Sequence, residues 1–208
     1  IPGEKAFALA RGPHGEWAAF GQRERGCYND LSPFYSDLAV VSEAGTGASL
    51  SPATPTPVFQ GAVAVDGQGR IVYAEEGAVE ELAGTPVQAK ITRLLPDGEV
   101  DRSFGHEGGI VLDRFDPGHP KAVAVDARER IVVGLAGAKK FELARLTSAG
   151  KLEGRFGDHG LLSGPKNGAE LQGVTIDSKG RIVASGYSAA GATKTGVGVT
   201  VARFLPGK

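Results

Sequence analysis

The chain has 208 residues, 23 of them basic and 24 acidic, and a formal net charge of −1. That length can bury a substantial core, while the balanced charge lacks the cationic footprint of a nucleic-acid binder or a polybasic membrane-surface protein. No apolar run reaches the roughly 18 residues of a membrane-spanning helix. Cys27, the only cysteine, can form no intrachain disulfide, and no Cys/His spacing resembles a zinc site. The cysteine count leaves the compartment open. Methionine is absent, so Ile1 is expected not to be the translated start, and a processed or excised segment is expected.

In chain order, an apolar stretch at 7–9 is followed by a polar turn and a second apolar run at 17–20. The pattern returns at 63–65 with Asp66 and then 71–73, at 123–125 with Asp126 and then 131–133, and at 174–176 with Asp177 and then 182–184. Counted from Phe7, Val63, Val123 and Val174, the steps are 56, 60 and 51 residues. A period of this size built from strands predicts stacked β modules. A third strand is predicted at 38–41, 89–95, 141–146 and 199–205, and a weaker fourth at 109–112 and 160–162. Four antiparallel strands per repeat is the pattern of a propeller blade.

The turns carry their own signals. Asp66, Asp126 and Asp177 open the hairpin turns, where a carboxylate can accept hydrogen bonds from turn amides. Gly69 and Gly180 supply positive φ before the returning Arg; Glu129 takes that place in the third unit, so its turn is expected to differ or to be strained. Arg93, Arg145 and Arg203 recur in the third strands. A residue present once per repeat serves something every repeat needs, and pairing with Asp66, Asp126 or Asp177 is the expected role.

The stretches DRSFGHEGG at 101–109, KAVAVD at 121–126, RIVVG at 130–134 and FELARL at 141–146 carry a resemblance. Together they resemble the bacterial delta-sixty repeat, a β-propeller family of unknown function, and more distantly the NHL repeat. The likeness covers about 61–208, and 1–60 fits loosely: Trp17 replaces a branched residue, and Val40 stands where the arginines recur. The resemblance implies architecture and often an extracellular or cell-surface setting in a bacterium. It implies no reaction. By analogy with the NHL blade, the Ala-Val strand lies nearest the central axis.

The expected fold is therefore a single all-β, propeller-like domain of about four four-stranded antiparallel blades, near 1–60, 61–118, 119–170 and 171–208. The last blade reads as incomplete, and an unpaired blade end is an exposed sheet edge. Three completions are open: a four-bladed ring, self-association of two chains through open blade edges into an eight-bladed ring, or a piece of a longer propeller. The last is preferred, because the turn at 206–208 halts where a further strand would start.

Chemistry-bearing motifs are few. His106-Glu107 and Asp158-His159 fall at equivalent places on neighbouring blades and could ligate a metal or act as acid and base. Their Gly-rich turns favour solvated loops instead. His14 and His119 lie beside prolines and are read as solvated turn residues too. There is no Gly-x-Ser-x-Gly elbow, Walker loop or dinucleotide fingerprint, and no cofactor is expected.

Repeat proteins concentrate function where the repeat breaks. The main departure is 22–35, which carries Arg25, Tyr28, Asn29, Asp30, Phe34 and Tyr35, an aromatic-polar mix typical of contact surfaces. The competing reading packs Tyr28, Phe34 and Tyr35 back onto the first blade. Glu75, Glu76, Glu80 and Glu81 form an acidic stretch at the equivalent position of the second unit. The functional expectation is a non-enzymatic binding or surface-scaffold module for an unknown protein or carbohydrate. The alternative is a metal-dependent propeller lyase or hydrolase with its site at the central channel.

Overall fold

A computed structural model describes residues 4–24, 34–41, 47–49, 61–77, 88–113, 118–137, 140–164, 169–188 and 198–205. Among these residues there is no helix, and the strands form four antiparallel sheets, each built from strands consecutive in the chain. The first blade holds β1 (Glu4–Arg11), β2 (Trp17–Glu24), β3 (Phe34–Val41) and β4 (Gly47–Ser49). The second holds β5 (Gly61–Val65), β6 (Ile71–Gly77), β7 (Gln88–Leu94) and β8 (Gly109–Leu112). The third holds β9 (His119–Val125), β10 (Ile131–Ala136), β11 (Phe141–Leu146) and β12 (Leu161–Ser163). The fourth holds β13 (Ala169–Ile176), β14 (Ile182–Ser188) and β15 (Gly198–Phe204), three strands among the described residues.

Strand pairing corrects the phase of the first repeat. Arg11 faces Trp17 as Val65 faces Ile71, Val125 faces Ile131 and Ile176 faces Ile182. Leu9, not Phe7, therefore occupies the place of Val63, and the first step is 54 residues (63 minus 9) rather than 56. Phe7 is skipped by a bulge between Ala6 and Ala8, and Lys121 and Gln172 are skipped in the same way in β9 and β13.

Successive blades pack face to face, and the alternation of each strand divides its side chains between two seams. Ala18, Phe20 and Leu38 of the first blade meet Val63, Ile71, Tyr73 and Leu94 of the second. The other face of the second blade (Ala62, Val72, Ile91 and Phe104) meets Val123, Ile131, Val133 and Leu146 of the third. Val132, Leu143 and Phe156 then meet Leu171, Ile182 and Ala184 of the fourth. Phe20, Phe104 and Phe156 are wholly buried, and each such ring contributes about 2 to 3 kcal/mol of burial energy. Phe20 stacks on Tyr73 with ring centres 5.7 Å apart. Gly61 must be glycine there, because a Cβ would lie 2.0 Å from the Phe20 ring.

The hairpin turns behave as the aspartates promised. Asp66 Oδ1 accepts the backbone N–H groups of Gln68 and Arg70 at 2.9 Å, while Oδ2 accepts from Arg70 Nε at 2.6 Å. Asp126 with Arg130 and Asp177 with Arg181 repeat the arrangement. The recurrent third-strand arginines do not pair with these aspartates, which corrects that expectation: a nearer arginine, four residues on, already fills each carboxylate. Arg93 instead binds Asp101 at 2.8 Å and lies over the Phe104 ring at 4.6 Å. Arg145 binds Glu153 at 2.5 Å and lies over Phe156 at 4.2 Å. Arg203, at the equivalent place in β15, is exposed.

The third turn keeps the backbone hydrogen bonds of the others, with Asp126 N to Arg130 O at 3.0 Å and Glu129 N to Asp126 O at 2.8 Å. Glu129 adopts the glycine conformation at φ 61, a strain of about 1 kcal/mol. Its carboxylate is fixed across the seam by Arg70 at 2.7 Å and by the Gln68 amide.

Candidate functional site

Two sets of residues are expected from the sequence to carry chemistry. Arg25, Tyr28, Asn29 and Asp30 lie outside the described residues. Phe34 and Tyr35 belong to β3, their backbones paired with Glu24 and Arg23 of β2, so the connection between the two strands spans only 25–33.

His106, Glu107, Asp158 and His159 sit in the tight turns that lead to β8 and β12. Glu107 and His159 have φ values of 50 and 51, flanked by Gly105 and Gly108 or by Gly157 and Gly160, all at positive φ. This conformation turns the side chains outward: Asp158 and His159 are 95% and 82% exposed, and their closest approach is 3.8 Å. Glu107 meets Arg102 at 3.4 Å, and both side chains are exposed. Among the described residues, no group of three or more His, Cys, Asp or Glu side chains is placed to hold a metal ion.

A different set converges at the rim opposite the aspartate turns, where β6 and β14 end and β7, β9 and β13 begin. Glu76, on the last stretch of β6, is buried, and its Oε1 lies 2.6 Å from His119 Nδ1. His119 is the first residue of β9 and pairs with Ala136, so it is a strand residue rather than the turn residue its neighbouring proline suggested. A carboxylate on Nδ1 orients the imidazole and leaves Nε2 to face a ligand. The bulge in β9 directs Lys121 toward the fourth blade, where its Nζ lies 3.8 Å from Glu170 Oε1. The other oxygen of Glu170 accepts the Tyr187 hydroxyl, and this hydrogen bond, with the carboxylate charge beside it, raises the Tyr187 pKa. Glu75, also buried, lies 4.0 Å from Lys90 on the next strand.

These groups do not repeat. With Ile71, Ile131 and Ile182 aligned by strand register, Glu75 and Glu76 stand where the third blade has Leu135 and Ala136 and the fourth has Gly186 and Tyr187. Glu76 and His119, 43 residues apart, and Lys121 and Glu170 come from different blades, so no local motif announces them. The only signal in the sequence is the acidic run that begins at Glu75. Chemically, the rim offers an oriented imidazole with its carboxylate between the second and third blades, and an ammonium group, a carboxylate and a phenol between the third and fourth.

No protein-family model matches the chain, and no curated protein sequence matches it. Solved structures do match in fold. A Hadza microbial sialidase shares 12% identity at a TM-score of 0.59, over 96% of this chain and 44% of its own. A putative oxidoreductase (glucose dehydrogenase) from Thermus thermophilus shares 16% identity at 0.52, over 99% and 85%. Drosophila semaphorin 1a, extracellular domains 1–2, shares 9% identity at 0.51, over 88% and 54%. The chain spans about half the length of several of the structures it matches. These neighbours are β-propeller-like proteins, and with the four sheets they establish an all-β, propeller-like fold.

Proposed function

We propose that this chain is a non-enzymatic propeller module that binds a hydroxyl-rich ligand, a carbohydrate, at the rim formed by Glu76, His119, Lys121, Glu170 and Tyr187. The observation that carries the reading is the contrast between the two rims. One is closed by near-identical Asp–Arg turns in three blades and by the equivalent Gly12–Glu16 turn in the first, a solution that recurs with the scaffold. The other gathers polar side chains that occur once each, and a residue that occurs once serves something other than the common scaffold.

Carboxylates, an imidazole and a phenol accept and donate to sugar hydroxyls, and Lys121 adds a cation for an acidic sugar. Arg25, Tyr28, Asn29 and Asp30 of the β2–β3 connection, with Phe34 and Tyr35 at the start of β3, belong to the same proposal as an aromatic-polar break in the repeat. The two sugar-related names among the solved propellers reflect a likeness of fold; the carbohydrate reading rests on the polar groups of the rim. The delta-sixty-like repeat and a bacterial cell-surface setting belong to the same proposal, supported by the phrases at 101–146.

A glycan array probed with the purified chain tests it. Binding to at least one glycan class is expected, with a loss of tenfold or more in His119→Ala and Glu76→Gln variants that retain the β-sheet circular dichroism of the parent. No binding to any glycan, or binding indifferent to both substitutions, would sink the reading. The Glu76–His119 pair alone favours a second reading, an acid–base site in a propeller lyase or hydrolase. Turnover of a bound glycan, abolished in His119→Ala, would establish that reading instead.

A further inference from the structure

The seams between blades have two sides, and each side uses the same positions every time. Toward the preceding blade, a blade presents the positions of Val63 and Ile71, which recur as Val123 and Ile131 in the third blade and as Ile182 at the second position in the fourth. Toward the following blade, it presents the positions of Ala89 and Ile91, which recur as Phe141 and Leu143. Every one of these interior residues is 9% exposed or less.

At the two ends of the stack, the same positions are open. On the first blade they are Leu9, 64% exposed, and Trp17, 42% exposed. On the fourth blade they are Val199, 86% exposed, and Val201, 65% exposed. Strand register fixes the correspondence: Val201 pairs with Ser185 as Leu143 pairs with Gly134 and Ile91 with Ala74. Arg203 extends the second face. Its counterpart Arg93 crosses the seam to donate to the Ser148 carbonyl at 2.6 Å. Among the described residues, the fourth blade therefore does not return to cover the first, and each end face is half of a seam the chain already builds three times.

We propose that a second copy of this chain occupies both end faces, head to tail. The chain carries both halves of the seam: Val199, Val201 and Arg203 on one copy meet Leu9 and Trp17 on the other, and the reciprocal contact closes the pair. Such an assembly is a twofold ring of eight blades in which every blade has two neighbours. It uses the blade faces rather than the hydrogen-bonding strand edges. It is independent of the ligand reading above, because no residue of the polar rim takes part.

Light scattering after size exclusion tests the proposal on the whole chain. At tens of micromolar the expected mass is twice 21.4 kDa. Leu9→Asp and Val201→Asp, exposed positions that leave the three interior seams intact, should each give a folded monomer by circular dichroism. Mixing the two variants should restore a weaker dimer, because one intact face remains on each. A monomeric parent overturns the proposal and leaves the faces to blades of another polypeptide segment. A Val201→Asp variant that stays fully dimeric, or a mixture that stays monomeric up to its solubility limit, overturns the head-to-tail order.

Discussion

Glu16 accepts the backbone N–H of His14 at 2.9 Å, the bond that Asp66, Asp126 and Asp177 make from the other end of their turns. Gly12 stands in the place of those aspartates and Glu16 in the place of the arginines. A Cβ on Gly12 would lie 2.0 Å from Glu16 Oε1, so the carboxylate fills the volume that the aspartate side chain takes elsewhere. The turn is the same, and the acid arrives from its far side.

The exchange predicts paired behaviour. Gly12→Asp alone places two carboxylates in one space and should lower stability by about 1 kcal/mol through repulsion and the loss of the Glu16 bond. Gly12→Asp with Glu16→Arg rebuilds the arrangement of the other blades and should return the midpoint of urea unfolding to the parent value or above. If the double variant were less stable than the single one, the equivalence of the turns would be wrong.

Arg93 and Asp101 form a buried ion pair roofed by Phe104. Burial alone would raise the Asp101 pKa, but hydrogen bonds from Ser103 and the adjacent Arg93 guanidinium hold it below the usual carboxylate range. A depressed carboxylate contributes stability above its unfolded pKa of about 4 and loses it as pH falls through the folded value. Arg93→Ala should cost about 3 kcal/mol or more, because it strands the carboxylate. Arg93→Lys should recover only part of this, since lysine lacks the planar stack on Phe104. Denaturant titrations at pH 7 and pH 3 should show the Arg93→Ala penalty shrinking in acid. A penalty of unchanged size would contradict the pair.

Much of the architecture is legible in the sequence because each hairpin turn is closed by neighbours in the chain. Asp66 and Arg70, Asp126 and Arg130, and Asp177 and Arg181 span four residues each, so their recurrence marks the period. The first repeat reads two residues out of phase because Gly12 and Glu16 remove that marker and Phe7 sits in a bulge. Glu129 is legible as a strained glycine position, but the contacts that hold it come from Gln68 and Arg70 across a seam. The polar rim is least legible. Glu76 meets His119 only when the second and third blades stack, Lys121 meets Glu170 only when the third and fourth do, and a proline beside His119 imitates a turn.

Tyr73 offers a probe of the first seam. Burial, reinforced by the charge of Glu75, pushes its pKa up to about 12. A raised phenol pKa means that the folded state keeps the proton, so the contribution is complete below the unfolded value of about 10 and is lost as pH rises through 12. Relative to Tyr73→Phe, the parent should lose about 2 kcal/mol more stability between neutral pH and pH 12. Tyrosinate absorbance should show one of the four tyrosines ionising last. All four titrating together near pH 10 would exclude a sealed seam around Tyr73.

Among the described residues, every sheet is built from strands consecutive in the chain, without a crossover between blades. A segment can therefore be duplicated or deleted as a whole unit while the register within every remaining unit is preserved, because the hairpins close locally and the seams reuse the same positions. The natural mutational step for such a protein is a tandem gene duplication. Its size is quantised near the spacing of the Asp–Arg turns, and its cost is confined to the one or two seams that must be joined again.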